Sequence, residues 1–116
     1  MKLLDRIFGC LLALGAVGHG LGTFQAYHNT PMTLLWALSA SFAILMLAAI
    51  NLLRTARPGD RGLAWISLVG CLIWAGFCLW FGRLIGNFFD FRPLVNLIVS
   101  LVLAAFSLRA LLRAAA

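Results

Sequence analysis

Imidazole is the side chain best suited to proton transfer near neutral pH, and this chain carries two: His19, set between Gly18 and Gly20 in an apolar run, and His28, nine residues on in the polar stretch Tyr27-His28-Asn29-Thr30. Buried in apolar surroundings, His19 has three chemical uses: a proton-linked switch, a group that binds a ligand, or an axial ligand to a b-type haem that the flanking glycines would let approach the backbone. The plainer alternative is a neutral imidazole that hydrogen-bonds to Ser, Asn or a carbonyl on a neighbouring helix. Bis-histidine haem ligation needs a second buried His at similar depth, and His28 reads as a surface residue of a polar turn. Haem through His19 therefore calls for a single ligand or a subunit interface, and haem or quinone binding stands as a minor alternative.

The remaining polar side chains gather in two sets. Thr23, Gln25, Tyr27, His28 and Asn29 follow His19, and Arg83, Asn87, Asp90, Arg92 and Asn96 lie near the middle of the second half. If the two halves fold as antiparallel hairpins, these sets meet at one end, giving a polar pocket near His19, Gln25, Arg83, Asn87 and Asn96. Asp90 and Arg92 are charges at its mouth, able to form an ion pair with one another or to meet an anionic headgroup, with Asp90 also placed to cap a following helix. Trp74 lies within an apolar run among Gly70, Cys78 and Gly82, where it either fills space between helices or walls a ligand cavity; its N–H wants a Ser or Asn partner.

Signatures of covalent chemistry are missing. The chain has three acidic residues, no His/Cys/carboxylate metal cluster, no phosphate-binding Gly-rich loop and no nucleophile elbow. Cys10, Cys71 and Cys78 lie in apolar runs as small hydrophobes, and Cys71 and Cys78 are about 10 Å apart along a helix, too far to pair with each other.

The elements that position these residues follow from charge. Between Arg6 and Arg54 the chain runs 47 residues without Asp, Glu, Lys or Arg. As one helix that stretch would reach roughly 70 Å, more than twice the hydrocarbon core, so it folds back once as two spans. The whole chain, 64% hydrophobic and 10% charged with a mean hydropathy of +1.05, belongs in a membrane. Its expected form is a single all-α domain over 1–116, with spans at about 4–26, 31–53, 62–86 and 93–112. Met1-Lys2 before an apolar run has the outline of an export signal, but the glycine-rich stretch continues into further apolar sequence, so a retained first span is expected. Thr30-Pro31, Asp60 and Asp90 are the expected helix starts, and the linkers are short enough to force an up-down-up-down, left-handed four-helix bundle.

The net charge of +6 does not point to nucleic acid, because the nine cations are scattered at helix ends rather than clustered on a wet face. Lys2, Arg6, Arg54, Arg57, Arg61, Arg109 and Arg113 fall on one side of the expected bundle and Arg83 and Arg92 on the other. Cations concentrate on the cytoplasmic side, so both termini are expected in the cytoplasm, as in a bacterial inner membrane, with the His28 and Asp90 turns outward.

Helices in lipid associate through small residues that permit close approach. Gly15, Gly18 and Gly22 are the expected packing stripe of the first span, with Gly18 and Gly22 in GxxxG spacing; Gly70 and Gly82 serve the third. A dimer through GxxxG is the alternative to packing within the chain. Leu45–Leu52 and Leu101–Leu108 share five identities in eight, a faint echo between the second and fourth spans. Trp36, Trp65 and Trp80 near span ends suit an interfacial belt. The function expected from these features is a non-covalent binding or accessory module that holds a lipophilic or small polar ligand, or docks on a membrane partner. The alternative is a homo-oligomeric transporter or channel for an ion or small solute that uses His19.

Overall fold

The computed structural model describes residues 1–115, which form four α-helices: α1 (Lys2–Tyr27), α2 (Pro31–Ala56), α3 (Arg61–Leu84) and α4 (Phe91–Ala115). Each is long and apolar enough to cross a membrane. At 1.5 Å per residue they reach roughly 36–39 Å, enough for a hydrocarbon core of about 30 Å.

Local chemistry sets the helix ends. Pro31 occupies the first turn of α2, where its missing N–H has no partner to lose. The cap expected of Thr30 is not made by its side chain; its Oγ1 instead donates to the Tyr27 carbonyl at 3.2 Å, closing the preceding turn. α2 runs three residues past its expected end and stops at Ala56, because Arg57 precedes Pro58 and is pushed out of the helical region. Arg57-Pro58-Gly59-Asp60 is then a turn closed by Asp60 N–H donating to the Arg57 carbonyl at 3.2 Å, with Gly59 at φ +95° where a side chain would be strained. Asp60 caps α3, accepting the Leu63 N–H at 3.0 Å.

α3 stops at Leu84, two residues short of the expected boundary. Gly86 turns left-handed at φ +68°, its N–H reaches the Arg83 carbonyl, and the Asn87 N–H reaches the Gly82 carbonyl. These bonds satisfy two carbonyls that the helix end would leave bare. α4 begins at Phe91, with Pro93 harmless inside its first turn.

The helices pack as a ring in which α1 lies against α2, α2 against α3, α3 against α4 and α4 against α1, the α1–α2 and α3–α4 contacts being the most extensive. The core is narrow, made of Leu12, Ala16, Ile44, Leu47, Ala48, Cys71, Val99, Leu103 and Ala104, with Asn51, Ser67, Ser100 and Ser107 fully buried among them. Bulkier side chains such as Leu14, Leu21, Phe42, Ile66, Phe77 and Leu101 point outward. That inversion fits lipid, where outward leucine costs nothing and small or hydrogen-bonding residues hold helices together.

The glycine stripe on α1 is rotated from its expected place. The buried face runs Gly9, Leu12, Ala16 and Thr23; a Cβ at Gly9 would sit 2.8 Å from Leu52 Cδ2. Gly15 meets Asn96, but Gly18 and Gly22 have nothing within 4 Å of a built Cβ. Their spacing is that of a packing motif, yet Gly18 is two residues beyond Ala16, roughly 200° around the helix, so neither packs within the chain. Gly70 and Gly82 do meet neighbours, Leu47 and Phe88 respectively. The echo between α2 and α4 coincides with burial: Ile44, Leu47, Ala48 and Asn51 are buried at the positions that correspond to buried Ser100, Leu103, Ala104 and Ser107.

Candidate functional site

The densest buried polar chemistry lies at the Arg54 end of the bundle. Because α2 continues past Leu53, Arg54 is inside a helix rather than in a linker, and its side chain is only 4% exposed. A guanidinium is costly to desolvate unless matched, and Asp5 of α1 matches it in a two-pronged grip: Nη1 donates to Oδ2 at 2.9 Å and Nη2 to Oδ1 at 2.6 Å. Nη2 also reaches Asn51 Oδ1 at 3.4 Å, one turn earlier on α2.

Asn51 carries the connection onward. Ser67 Oγ of α3 donates to Asn51 Oδ1 at 2.7 Å and lies 2.7 Å from Ser107 Oγ of α4, while Asn51 Nδ2 donates to the Leu47 carbonyl at 2.9 Å and towards Cys71 Sγ at 3.4 Å. The chain Asp5–Arg54–Asn51–Ser67–Ser107 thus has a member on each of the four helices. Arg54 Nε is the group in it that is buried without a hydrogen-bond partner.

A cavity of about 250 Å³ opens beside this network. It is lined by the start of α1 (Met1, Lys2, Asp5), the end of α2 and its turn (Arg54, Thr55, Pro58, Gly59) and the end of α4 (Phe106, Arg109, Ala110, Arg113). Four cations face one carboxylate around it, and that carboxylate is already engaged by Arg54. Arg109 lies against the thioether of Met1, which brings no countercharge. Lys2, Arg109 and Arg113 make no ion pair among the described residues.

The residues singled out from sequence are distributed differently. His19 is exposed on α1, with Nδ1 2.7 Å from Ser41 Oγ of α2 and 3.5 Å from Thr23 Oγ1. His28 Nδ1 lies 3.1 Å from the Gln25 carbonyl, and Asn29 donates to His28 Nε2 at 2.9 Å, a local turn arrangement. The Gln25 side chain is exposed, as is Arg83. Asn87 accepts the Phe89 N–H in the α3–α4 linker, and Asn96 donates to the Arg92 carbonyl one turn back. Trp74 is half-buried, edge-on to Phe77 at 6.2 Å, and its Nε1 is buried without the partner expected for it. No hydrogen bond among the described residues joins His19, Gln25, Arg83, Asn87 and Asn96 to one another.

At the mouth charges, Arg92 donates through Nε to Asp90 Oδ1 at 2.9 Å and through Nη2 to Oδ2 at 2.8 Å, and its backbone N–H adds a third bond. These bonds hold the Asp90 carboxyl down at about 2, below the usual carboxylate range. Arg83 makes no ion pair with either. No group of three or more His, Cys, Asp or Glu suited to a metal occurs among the described residues, and all three cysteines are free.

Sequence reading missed the Asp5–Arg54 pair. Its signal was present: Asp5 is the one acidic residue of the first span, and Arg54 follows Asn51 at one-turn spacing at the end of the second. Comparison with protein-family models, with curated proteins and with solved structures finds no match.

Proposed function

We propose that this chain is a small polytopic membrane protein that works without covalent chemistry, as a binding or accessory module. Its helices run up-down-up-down with both termini in the cytoplasm, as in a bacterial inner membrane. The contact of Asp5, near the start of α1, with Arg54, near the end of α2, supports that order, and so does the contact of Arg109 with Met1. The cation distribution supports the orientation.

The observation that carries the binding reading is the cavity beside Arg54. Four cations line that open space and only Arg54 among them is paired with a carboxylate, an arrangement suited to holding an anionic or polar ligand. In this reading the binding site lies at the cytoplasmic end, away from the outward pocket expected around His19. Native mass spectrometry of the full chain from mild detergent is the test: a small molecule or lipid retained at fixed stoichiometry is the expected result. A chain that retains nothing, while driving solute flux in proteoliposomes, would overturn the reading.

One observation favours a second reading, a homo-oligomeric transporter or channel. Gly18, His19 and Gly22 occupy an exposed face of α1, and the GxxxG pair there has no partner within the chain. In that reading α1 meets α1 of a second copy and His19 sits beside the interface.

A further inference from the structure

We propose that the cavity at the Arg54 end is a phosphate-group site, taking the headgroup of an anionic phospholipid. This rests on the binding reading above and names its ligand class. Three features select an anion. Lys2, Arg109 and Arg113 line the cavity with no ion pair among the described residues, so their charges are available. Arg54 lines the same space and, held by both carboxylate oxygens of Asp5, adds a fixed guanidinium beside it. Asp5, the one carboxylate in the lining, has its oxygens occupied by Arg54 and so is screened from an incoming anion.

Size narrows the choice. About 250 Å³ lies just below the range typical of pockets for drug-sized ligands, which suits a compact charged group better than a large cofactor. The cavity is built from helix ends, the depth at which headgroup phosphates lie, and Phe106 and Ala110 give its wall an apolar side for the glycerol and upper acyl chain. Arg is suited to phosphate because its planar fork donates two bonds at once, and basic residues at the cytoplasmic ends of helices recognise anionic lipids on that leaflet.

The test uses the full chain in nanodiscs of phosphatidylcholine alone or with one-fifth phosphatidylglycerol, read by thermal melting and by lipid retention in native mass spectrometry. Wild type should melt several degrees higher with phosphatidylglycerol and retain it in preference to phosphatidylcholine. Lys2→Gln/Arg109→Gln/Arg113→Gln should abolish the shift and weaken retention by roughly 10-fold or more, as removing three charged donors predicts. Arg57→Gln/Arg61→Gln removes charge from the neighbouring turn but not from the cavity lining, and should leave both readouts as in wild type; equal loss in the two variants would reduce the effect to diffuse surface charge and overturn the site. Inorganic phosphate added to phosphatidylcholine discs separates the sources: a shift of the same size at millimolar phosphate would overturn the lipid in favour of free phosphate. Stoichiometric retention of a neutral lipophile would overturn the anion and leave the binding reading standing. Retention of nothing in any disc would remove both.

Discussion

Arg54 and Asp5 stand 49 residues apart in sequence, yet the guanidinium of one grips both carboxylate oxygens of the other, joining the end of the second helix to the start of the first. The contact places a full positive charge inside the bundle with a side chain 4% exposed, and it anchors a polar chain that ends at Ser107 on the fourth helix. In lipid, where apolar burial gives helices little reason to associate, such bonds and close-packed small residues decide which faces meet.

Asn51 is the hub of that chain, so its loss should cost more than loss of a spoke. Ser67→Ala, which loses bonds to Asn51 and Ser107, is expected to destabilise the protein by about 0.6–1.7 kcal/mol, from the average to the largest value for an interhelical hydrogen bond in membranes. Asn51→Leu, which leaves Ser67 with Ser107 alone and removes an acceptor from Arg54, should cost about 1–3 kcal/mol. Denaturation in mixed micelles measures both.

Glycine substitutions should separate packing within the chain from packing between chains. Gly82→Leu is expected to lower the melting temperature, because an added Cβ already meets the Phe88 ring at 3.1 Å and its Cα at 3.3 Å. Gly18→Leu should leave melting of the monomer unchanged, since nothing lies within 4 Å of that position. If a second copy covers this face, size-exclusion mass measurement will show Gly18→Leu losing it.

Trp74 carries an N–H buried without a partner, so its replacement by Phe removes an unmet donor along with some volume. Trp74→Phe should therefore change stability by less than about 1 kcal/mol, the two effects opposing each other, whereas Trp74→Ala should cost about 1–3 kcal/mol, below the core range because the half-buried ring leaves only a partial cavity. Thermal melts of the pair measure the contrast.

The Asp90–Arg92 clasp should survive mild acid. Asp90 is held at about 2 against an ordinary 3.8, so its contribution to stability is complete above about 3.8 and is lost only as pH falls through about 2. The carboxyl carbon of Asp90, followed by NMR, should show no titration between pH 7 and pH 4. In Arg92→Gln the titration should move up towards the ordinary value.

Four long apolar helices, the end of α1 and the starts of α2 and α3 were legible because uncharged length and turn chemistry act locally: Pro31, Pro58 and Asp60 sit where local rules put them. The end of α2 is written locally in Arg57-Pro58, but the uncharged run stops at Leu53 and Arg54 reads as a linker cation, because the Asp5 that pairs with it lies on another helix. Long-range charge pairing leaves no periodic trace. The same holds for α1, where Gly18 and Gly22 have the right spacing but the helix turns Ala16 inward, a choice made by α2 and α4 rather than by α1 alone. His19 was recognised as a polar group on a span, and Ser41 of α2 is the side chain it meets; which way the pair faces depends on the rotation of α1.

A double-mutant cycle on Asp5 and Arg54 in nanodiscs tests most directly whether this buried pair closes the bundle around its cavity. Asp5→Asn and Arg54→Gln should each cost about 2–4 kcal/mol, near the lower end of what breaking a buried pair costs, because Asp5 keeps some exposure. The double variant should lose less than the sum, giving a coupling of about 1–3 kcal/mol. Strictly additive losses, with coupling below about 0.3 kcal/mol, would show that the two side chains do not meet and would contradict the account.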